Sequence, residues 1–402
     1  MVSTSVGFIF AVISAFSTHW IFMLVVKIIG SSFSTASFTL TMTLLGECTG
    51  QQHRSQYLFI MQSFNLVSEL NAFAFAWLIL PLDINLPLPW LSTTFRSWRL
   101  HTIVMALPLG IGAILLFWLY ESPKYLASKE DYVKALEVLR RIYERNGGNR
   151  NDYPVKHVCQ SSSDSDKASN ALSIWETLKG QTLPIFKKPL LWRTLQLFFL
   201  ISLCCVTNNV YVMWYPTIVN YYFNSFDAKE NVTLTFCERV FGNSTSPDSQ
   251  EFQCNDEISP NTLYAGMLYG TFYFVLSLSI IRIASRPRIL LISTLFVSGV
   301  SHLLVNLREP ISNMIFFTLV QCTSMGIGTI SSYFVDLYPT ANRGLVTSLG
   351  MMVARLSSLV GISVIGTVIT QHCEATFYSW SVVVFGGIVV CIFLPTDRKT
   401  IK

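Results

Sequence analysis

The chain has 402 residues and a formal net charge of +5, with 51% hydrophobic residues and only 13% charged ones. A mean hydropathy of +0.47 cannot be spread over a soluble surface, because soluble domains carry about a quarter charged residues. These values exclude a soluble globular fold and leave an integral membrane protein.

A spanning helix needs ~20 mostly apolar residues. Ten runs meet or approach that length: 2–16, 20–45, 57–82, 102–119, 191–219, 262–283, 289–307, 311–335, 344–370 and 377–394. The first is the shortest. Its rival reading as a secretory signal lacks a basic residue ahead of it and a small-x-small cleavage site before Trp20. The runs are continuous rather than alternating, so an outer-membrane barrel is excluded. The expected fold is all-α and polytopic, with about ten transmembrane helices.

Two observations orient these helices. Between the fifth and sixth runs lie the sequons Asn231-Val232-Thr233 and Asn243-Ser244-Thr245, with Cys237 and Cys254 beside them. That loop, 220–260, is expected to be lumenal or extracellular, glycosylated at Asn231 and Asn243 and closed by a Cys237–Cys254 disulfide, while Cys373 has no evident partner. Counting alternately from it places 46–55, 121–190, 282–288, 336–343 and both termini in the cytoplasm, and those segments hold 20 of the 28 Lys and Arg residues. The positive-inside rule agrees, except at Arg96 and Arg99, which fall on the outer side. The net positive charge therefore follows topology, and no basic face points to nucleic acid.

The organisation expected is a four-span bundle over 1–120, a cytoplasmic linker over 121–190, a six-span bundle over 191–395 and a short tail over 396–402. The linker reads as a surface helix followed by a polar tether. Ser128 with Asp131 forms a capping-box pattern, Tyr132, Ala135, Leu136, Leu139 and Ile142 share one face, and Gly147-Gly148 ends the helix.

One pattern repeats. Glu47 with Arg54, and Asp336 with Arg343, each place an acid seven residues before an arginine between two apolar runs. Such an echo points to a duplicated membrane unit. These loops, together with Glu121-Ser-Pro-Lys-Tyr-Leu-Ala-Ser128, Ser97-Trp-Arg-Leu100 and Asp336-Leu-Tyr-Pro-Thr340, resemble the major facilitator superfamily, in particular its synaptic vesicle glycoprotein 2-like branch and more distantly its organic ion transporters. The resemblance covers nearly the whole chain. It implies two helix bundles, with an acid-to-arginine loop after the fourth helix of each. Asp336 follows the fourth span of its half, but Glu47 follows only the second span of the chain, so two helices are expected to be missing at the N-terminus. The family also implies that Asp336 with Arg286 or Arg343, and Glu47 with Arg54 or Lys124, form cytoplasmic gate pairs that break as the bundles rock.

Well inside the runs, away from their ends, three residues are charged at neutral pH: Lys27, Glu69 and Arg355. A charge at mid-bilayer costs ~2.5–3.5 kcal/mol on insertion scales, so such residues face a polar path or one another. Glu69 shares a helix stripe with Gln62 and Asn65. Lys27 and Glu69 either neutralise each other or meet substrate. Arg355 resembles an arginine of the organic ion transporters. Asn208, Asn209 and Tyr211 place polar groups in the fifth run and line either a cavity or an interface, while Tyr269 and Tyr273 read as packing or as a cation cage. His302, alone in its run, reads as a packed histidine.

The expected function is a secondary carrier of a small-molecule substrate such as an organic ion, in a plasma or vesicle membrane. The alternative is a non-transporting membrane glycoprotein or truncated pseudo-transporter. No metal, Ser-His or Cys-His constellation supports an enzyme, and no cofactor motif is present. Glycosidase treatment of the membrane-expressed chain is expected to lower its apparent mass; an unchanged mass removes the sequon support for an outer 220–260 loop.

Overall fold

The computed structural model describes residues 1–50, 53–158, 183–188, 190–228, 234–242, 258–281, 286–338 and 340–395. Hydrocarbon offers no partner to backbone N–H and C=O groups, so apolar runs satisfy them internally as helices. The helices are α1 (Val2–Ala15), α2 (Trp20–Cys48), α3 (Arg54–Ile79), α4 (Ser97–Leu115), α5 (Pro123–Ser128), α6 (Tyr132–Arg145), α7 (Leu190–Ala228), α8 (Phe236–Phe241), α9 (Pro260–Ile280), α10 (Pro287–Leu304), α11 (Pro310–Leu319), α12 (Ser324–Leu337), α13 (Thr340–Val368) and α14 (Cys373–Ile392). Proline at the first turn starts α9, α10 and α11, where its missing N–H costs nothing. An antiparallel pair, β1 (Leu86–Leu88) with β2 (Thr93–Phe95), forms the turn before α4.

Among the described residues eight helices are long and apolar enough to cross a bilayer, with α11 and α12 read as one span over Pro310–Phe334. Two of the ten expected runs fall outside that set for different reasons. The 14 residues of α1 reach only ~21 Å. The 26 residues of α3 are long enough, but the polar residues along it, Glu69 among them, lower its hydropathy. Pro216 lies inside α7 without breaking it, and the helix runs unbroken for 39 residues.

The chain packs as two units, Met1–Gly50 with Ile84–Leu183, and Gln51–Asp83 with Pro184–Lys402. The sequence grouped α3 with the first four spans, whereas its contacts place it in the second unit. The physical reason is a close approach of α3 to α9, described below.

In the first unit α1 packs on α2 and α4. Glycine makes this possible at Gly110, where an added Cβ would lie 2.9 Å from the Phe8 ring. Arg99 is 5% exposed and donates to the Ala15 carbonyl at 2.7 Å and to Thr93 Oγ1 at 3.1 Å. A cation at the C-terminal carbonyls of α1 complements the helix dipole. This local role accounts for one of the two arginines that depart from the charge asymmetry of the loops. The surface helix α6 begins later than the capping-box pattern implied. Asp131, not Ser128, is its N-cap, accepting from the Lys134 N–H at 3.3 Å, and Ser128 instead ends α5. The hydrogen bond from the Lys134 side chain holds the Asp131 carboxyl below its usual range. Gly147 takes φ +92 and ends α6, with Gly148 N–H returning to the Tyr143 carbonyl at 3.1 Å in a Schellman arrangement.

In the second unit, arginines again meet helix ends. Arg193 donates to the Phe393 carbonyl at 2.6 Å and Arg288 to the Ile392 carbonyl, both at the C-terminus of α14. At the opposite end of α14 the expected disulfide is corrected. Cys237 bonds to Cys373, not to Cys254, with Cα atoms 5.8 Å apart; Cys254, Asn231 and Asn243 lie outside the described residues. The bridge ties α8 to the start of α14. Cys237 N–H also donates to Asn306 Oδ1 at 3.0 Å, and Asn306 Nδ2 to Glu374 Oε1 at 2.6 Å. Phe236, fully buried, inserts beside Tyr222, Phe317 and Phe377. Spacing alone favoured the nearer cysteine; the packing of Phe236 carries Cys237 to α14 instead.

Non-reducing peptide mapping is expected to recover a Cys237–Cys373 cross-link, and Cys373→Ser to lower stability by ~2–4 kcal/mol. Recovery of Cys237–Cys254 would contradict this packing.

Candidate functional site

Within the second unit, polar groups converge where α3 crosses α9 and α12. The crossing is tight: a Cβ on Gly270 would lie 2.6 Å from the Leu70 nitrogen, and one on Gly328 3.0 Å from the Gln62 Cβ. Small residues permit this backbone approach inside a membrane. Because Leu70 meets Gly270, their chain neighbours Glu69 and Tyr269 are brought together, with the carboxylate in electrostatic reach of the phenol.

Tyr269 is 4% exposed and donates its hydroxyl to Gln321 Oε1 at 2.6 Å. The rings of Tyr215 and Tyr273 each lie 4.9 Å from it between centroids, and Tyr273 donates to the Thr318 carbonyl at 2.7 Å. Packing is thus what these tyrosines do for one another, and their faces and edges form one wall of a seam. Gln321 sits in a 3-10 turn, Val320–Thr323, that interrupts the α11–α12 span. A tightened turn in mid-helix marks a local departure from regular packing, and here it aims a glutamine at α9.

Three buried polar atoms along this seam have no hydrogen-bond partner among the described residues: Gln62 Oε1, Gln321 Nε2 and Ser324 Oγ. Their residues are 4%, 0% and 1% exposed. Ser324 precedes Gly328 by one helical turn and so shares its α3-facing line. Glu69 is half-buried, and no ion pair to it is found among the described residues. Each unsatisfied buried group costs ~1–3 kcal/mol. Such a set persists where water or a solute completes it.

The other sequence candidates are dispersed. Asn65 is exposed while Gln62 is buried, so the stripe they share with Glu69 turns from the packed face of α3 to its open one. Lys27 is exposed on α2 and belongs to the first unit, whereas Glu69 belongs to the second. Asn209 donates to Ser358 Oγ at 3.0 Å and Asn208 to Asn209 Oδ1 at 3.3 Å, where α7 packs on α13. An added Cβ at Gly361 would lie 2.6 Å from Val206, which shows how close these two helices run. Arg355 is exposed on α13, near Cys205 and one turn from Ser358. Tyr211 is 1% exposed, packed against His302 at 5.3 Å and Phe377 at 5.9 Å. It lies in the core of the unit. His302 is packed as expected, its Nδ1 2.7 Å from the Ser298 carbonyl.

Of the gate residues, the side chains of Glu47, Arg54 and Arg343 lie outside the described residues. Asp336 is half-buried near the end of α12, and Arg286 is exposed just before α10. Among the described residues no His, Cys, Asp or Glu group could hold a metal ion. A cleft of about 890 Å³ runs along α9, lined by Leu268, Phe272, Val275, Met314 and Leu319, and shares Tyr215 and Tyr269 with the seam. Leu268 is 75% exposed, and the wall is one that lipid chains would wet, unlike the polar seam.

Sequence reasoning singled out Glu69 and Gln62 but missed Gln321 and Ser324. It weighed charged residues and the polar groups of the fifth run, whereas Gln321, with Asn313 one of two amides in the run 311–335, was readable in the same way.

Comparison with known proteins fits this architecture. The family model described as "Sugar (and other) transporter" matches residues 1–237. The synaptic vesicle 2-related protein of Pongo abelii is 22% identical over 400 residues, covering 97% of this chain and 64% of that protein. Synaptic vesicle glycoprotein 2C of Mus musculus is 25% identical over 151 residues, covering 36% of this chain and 20% of that protein. The chain therefore spans less than two thirds of the length of these relatives. Among solved structures, the major facilitator superfamily proton:xylose symporter XylE bound to 6-bromo-6-deoxy-D-glucose superposes with a TM-score of 0.60 at 14% identity. It covers 99% of this chain and 80% of its own. The likeness is one of fold, a multi-pass helical membrane protein of the major facilitator type. With the matched family model covering more than half of its length, the chain belongs to the sugar (and other) transporter family.

Proposed function

We propose that the chain is a secondary carrier of small organic solutes that works by alternating access. The observation that carries this reading is the half-buried Glu69, with no ion pair among the described residues, beside three unsatisfied buried polar atoms. A purely structural membrane protein gains nothing from a carboxylate left without a counter-charge among apolar helices. A carrier gains a group that its solute completes.

In this reading Glu69 and Gln62 belong to the solute path, with Asn65 on the adjoining open face of α3. Arg355, Asn208 and Asn209 form a second polar group on α7 and α13. Glu47 with Arg54, and Asp336 with Arg286 or Arg343, act as cytoplasmic gates; both termini are cytoplasmic and the 220–260 loop is outside. The membrane is that of a vesicle or the cell surface, in keeping with the names of the synaptic vesicle relatives. Those same names favour a second reading, a membrane glycoprotein that moves nothing.

Flux into proteoliposomes distinguishes the two. The full chain is expected to accumulate organic ions above empty vesicles, with Glu69→Gln reducing uptake roughly ten- to hundredfold, the worth of a hydrogen bond to a charged group. Arg355→Ala is expected to reduce uptake less, because its side chain is exposed. No flux above empty vesicles for cations or anions removes the carrier reading for this chain and leaves the glycoprotein.

A further inference from the structure

The donors and acceptors of the α3–α9–α12 seam are of unequal kind, and that inequality specifies a ligand. At one end stands a carboxylate, Glu69, beside Tyr269, whose ring lies tilted against those of Tyr215 and Tyr273. Carboxylate and aromatic rings share one preference, for a cation with apolar substituents. Next to it, Gln321 offers a free N–H, because its Oε1 is occupied by the Tyr269 hydroxyl. That N–H requires an oxygen acceptor. Farther along α3, Gln62 offers a free Oε1 and Ser324 a free hydroxyl. Gln62 and Glu69 are seven residues apart, about 10 Å along the helix. A bare metal ion would satisfy neither the amide donor nor the aromatic wall. An anion would be repelled by Glu69. A neutral polyol would leave the carboxylate uncompensated.

We propose that this seam binds a hydroxyl-bearing organic cation, its ammonium against Glu69 and the tyrosine rings and its oxygen on the Gln321 amide. The proposal rests on reading the chain as a solute carrier, but it concerns recognition and not movement. The Tyr269 hydroxyl, engaged with Gln321, fixes the amide so that its N–H points away from the phenol, and the 3-10 turn at Val320–Thr323 holds that geometry. The Leu70–Gly270 approach sets the spacing between carboxylate and ring.

The test is equilibrium binding of tritiated choline to the detergent-purified full chain, with two competitors. One is 3,3-dimethylbutan-1-ol, the uncharged isostere of choline, and the other is tetramethylammonium, which lacks the hydroxyl. Saturable choline binding is expected, about tenfold or more tighter than the isostere and several-fold tighter than tetramethylammonium, by the worth of about one neutral hydrogen bond. Glu69→Gln is expected to erase the preference for choline over its isostere. Glu69→Asp, which keeps the charge, is expected to retain it and shows that a variant at this position folds. Absence of saturable choline binding, equal binding of choline and the isostere, or an unchanged preference in Glu69→Gln would each overturn the proposal. Choline binding without flux would uphold the seam and remove the carrier reading; flux of other solutes without choline binding would do the reverse.

Discussion

Hydrocarbon cannot hydrogen-bond, and that one constraint orders the whole chain. It forces the apolar runs into helices and removes the hydrophobic drive between them, so the helices are held by close packing at small residues. Gly270 against Leu70, Gly328 against Gln62 and Gly361 against Val206 are among the points where backbones or side chains approach closely. The same constraint makes every polar group inside a span conspicuous. Most find partners: Tyr273 on the Thr318 carbonyl, Asn209 on Ser358, Arg99 on the end of α1. The groups that do not are informative because the solvent would not tolerate them without compensation.

The Leu70–Gly270 approach links fold to chemistry. It draws α3 into the second unit, and it sets Glu69 beside Tyr269. Had either position carried a larger side chain at the contact, the helices would separate and the carboxylate would lose its aromatic neighbour. The 3-10 turn between α11 and α12 adds the third wall by aiming Gln321 at α9. Three helices and one irregular turn thus build a polar strip inside the second unit, while the cationic ends of the unit, Arg193 and Arg288, are absorbed in capping α14.

Much of this was legible in the chain itself. Hydropathy gave the helical class and most of the spans, and the echo of Glu47/Arg54 in Asp336/Arg343 pointed to the major facilitator fold. A single acid in an apolar run marked Glu69. The rest depended on distances that sequence does not encode. Nearness in the chain points from Cys237 to Cys254, whereas burial of Phe236 brings Cys237 to Cys373, 136 residues away. Arg99 read as a topological anomaly because its acceptor, Ala15, is remote in sequence. Gln321 and Ser324 escaped notice because uncharged polar residues are common in spans, and only their missing partners set them apart. The position of α3 by packing followed from Gly270, whose role is visible only against Leu70.

Electron cryomicroscopy of the full chain in lipid nanodiscs with choline is the most direct test of the central claim, that the Glu69 carboxylate of α3 is where the bundle meets its solute. The predicted result is density for the ammonium between Glu69 and the Tyr269 ring, with its oxygen within hydrogen-bonding distance of Gln321 Nε2. A dry seam, or a Glu69 carboxylate ion-paired to a basic side chain of the chain itself, would contradict it.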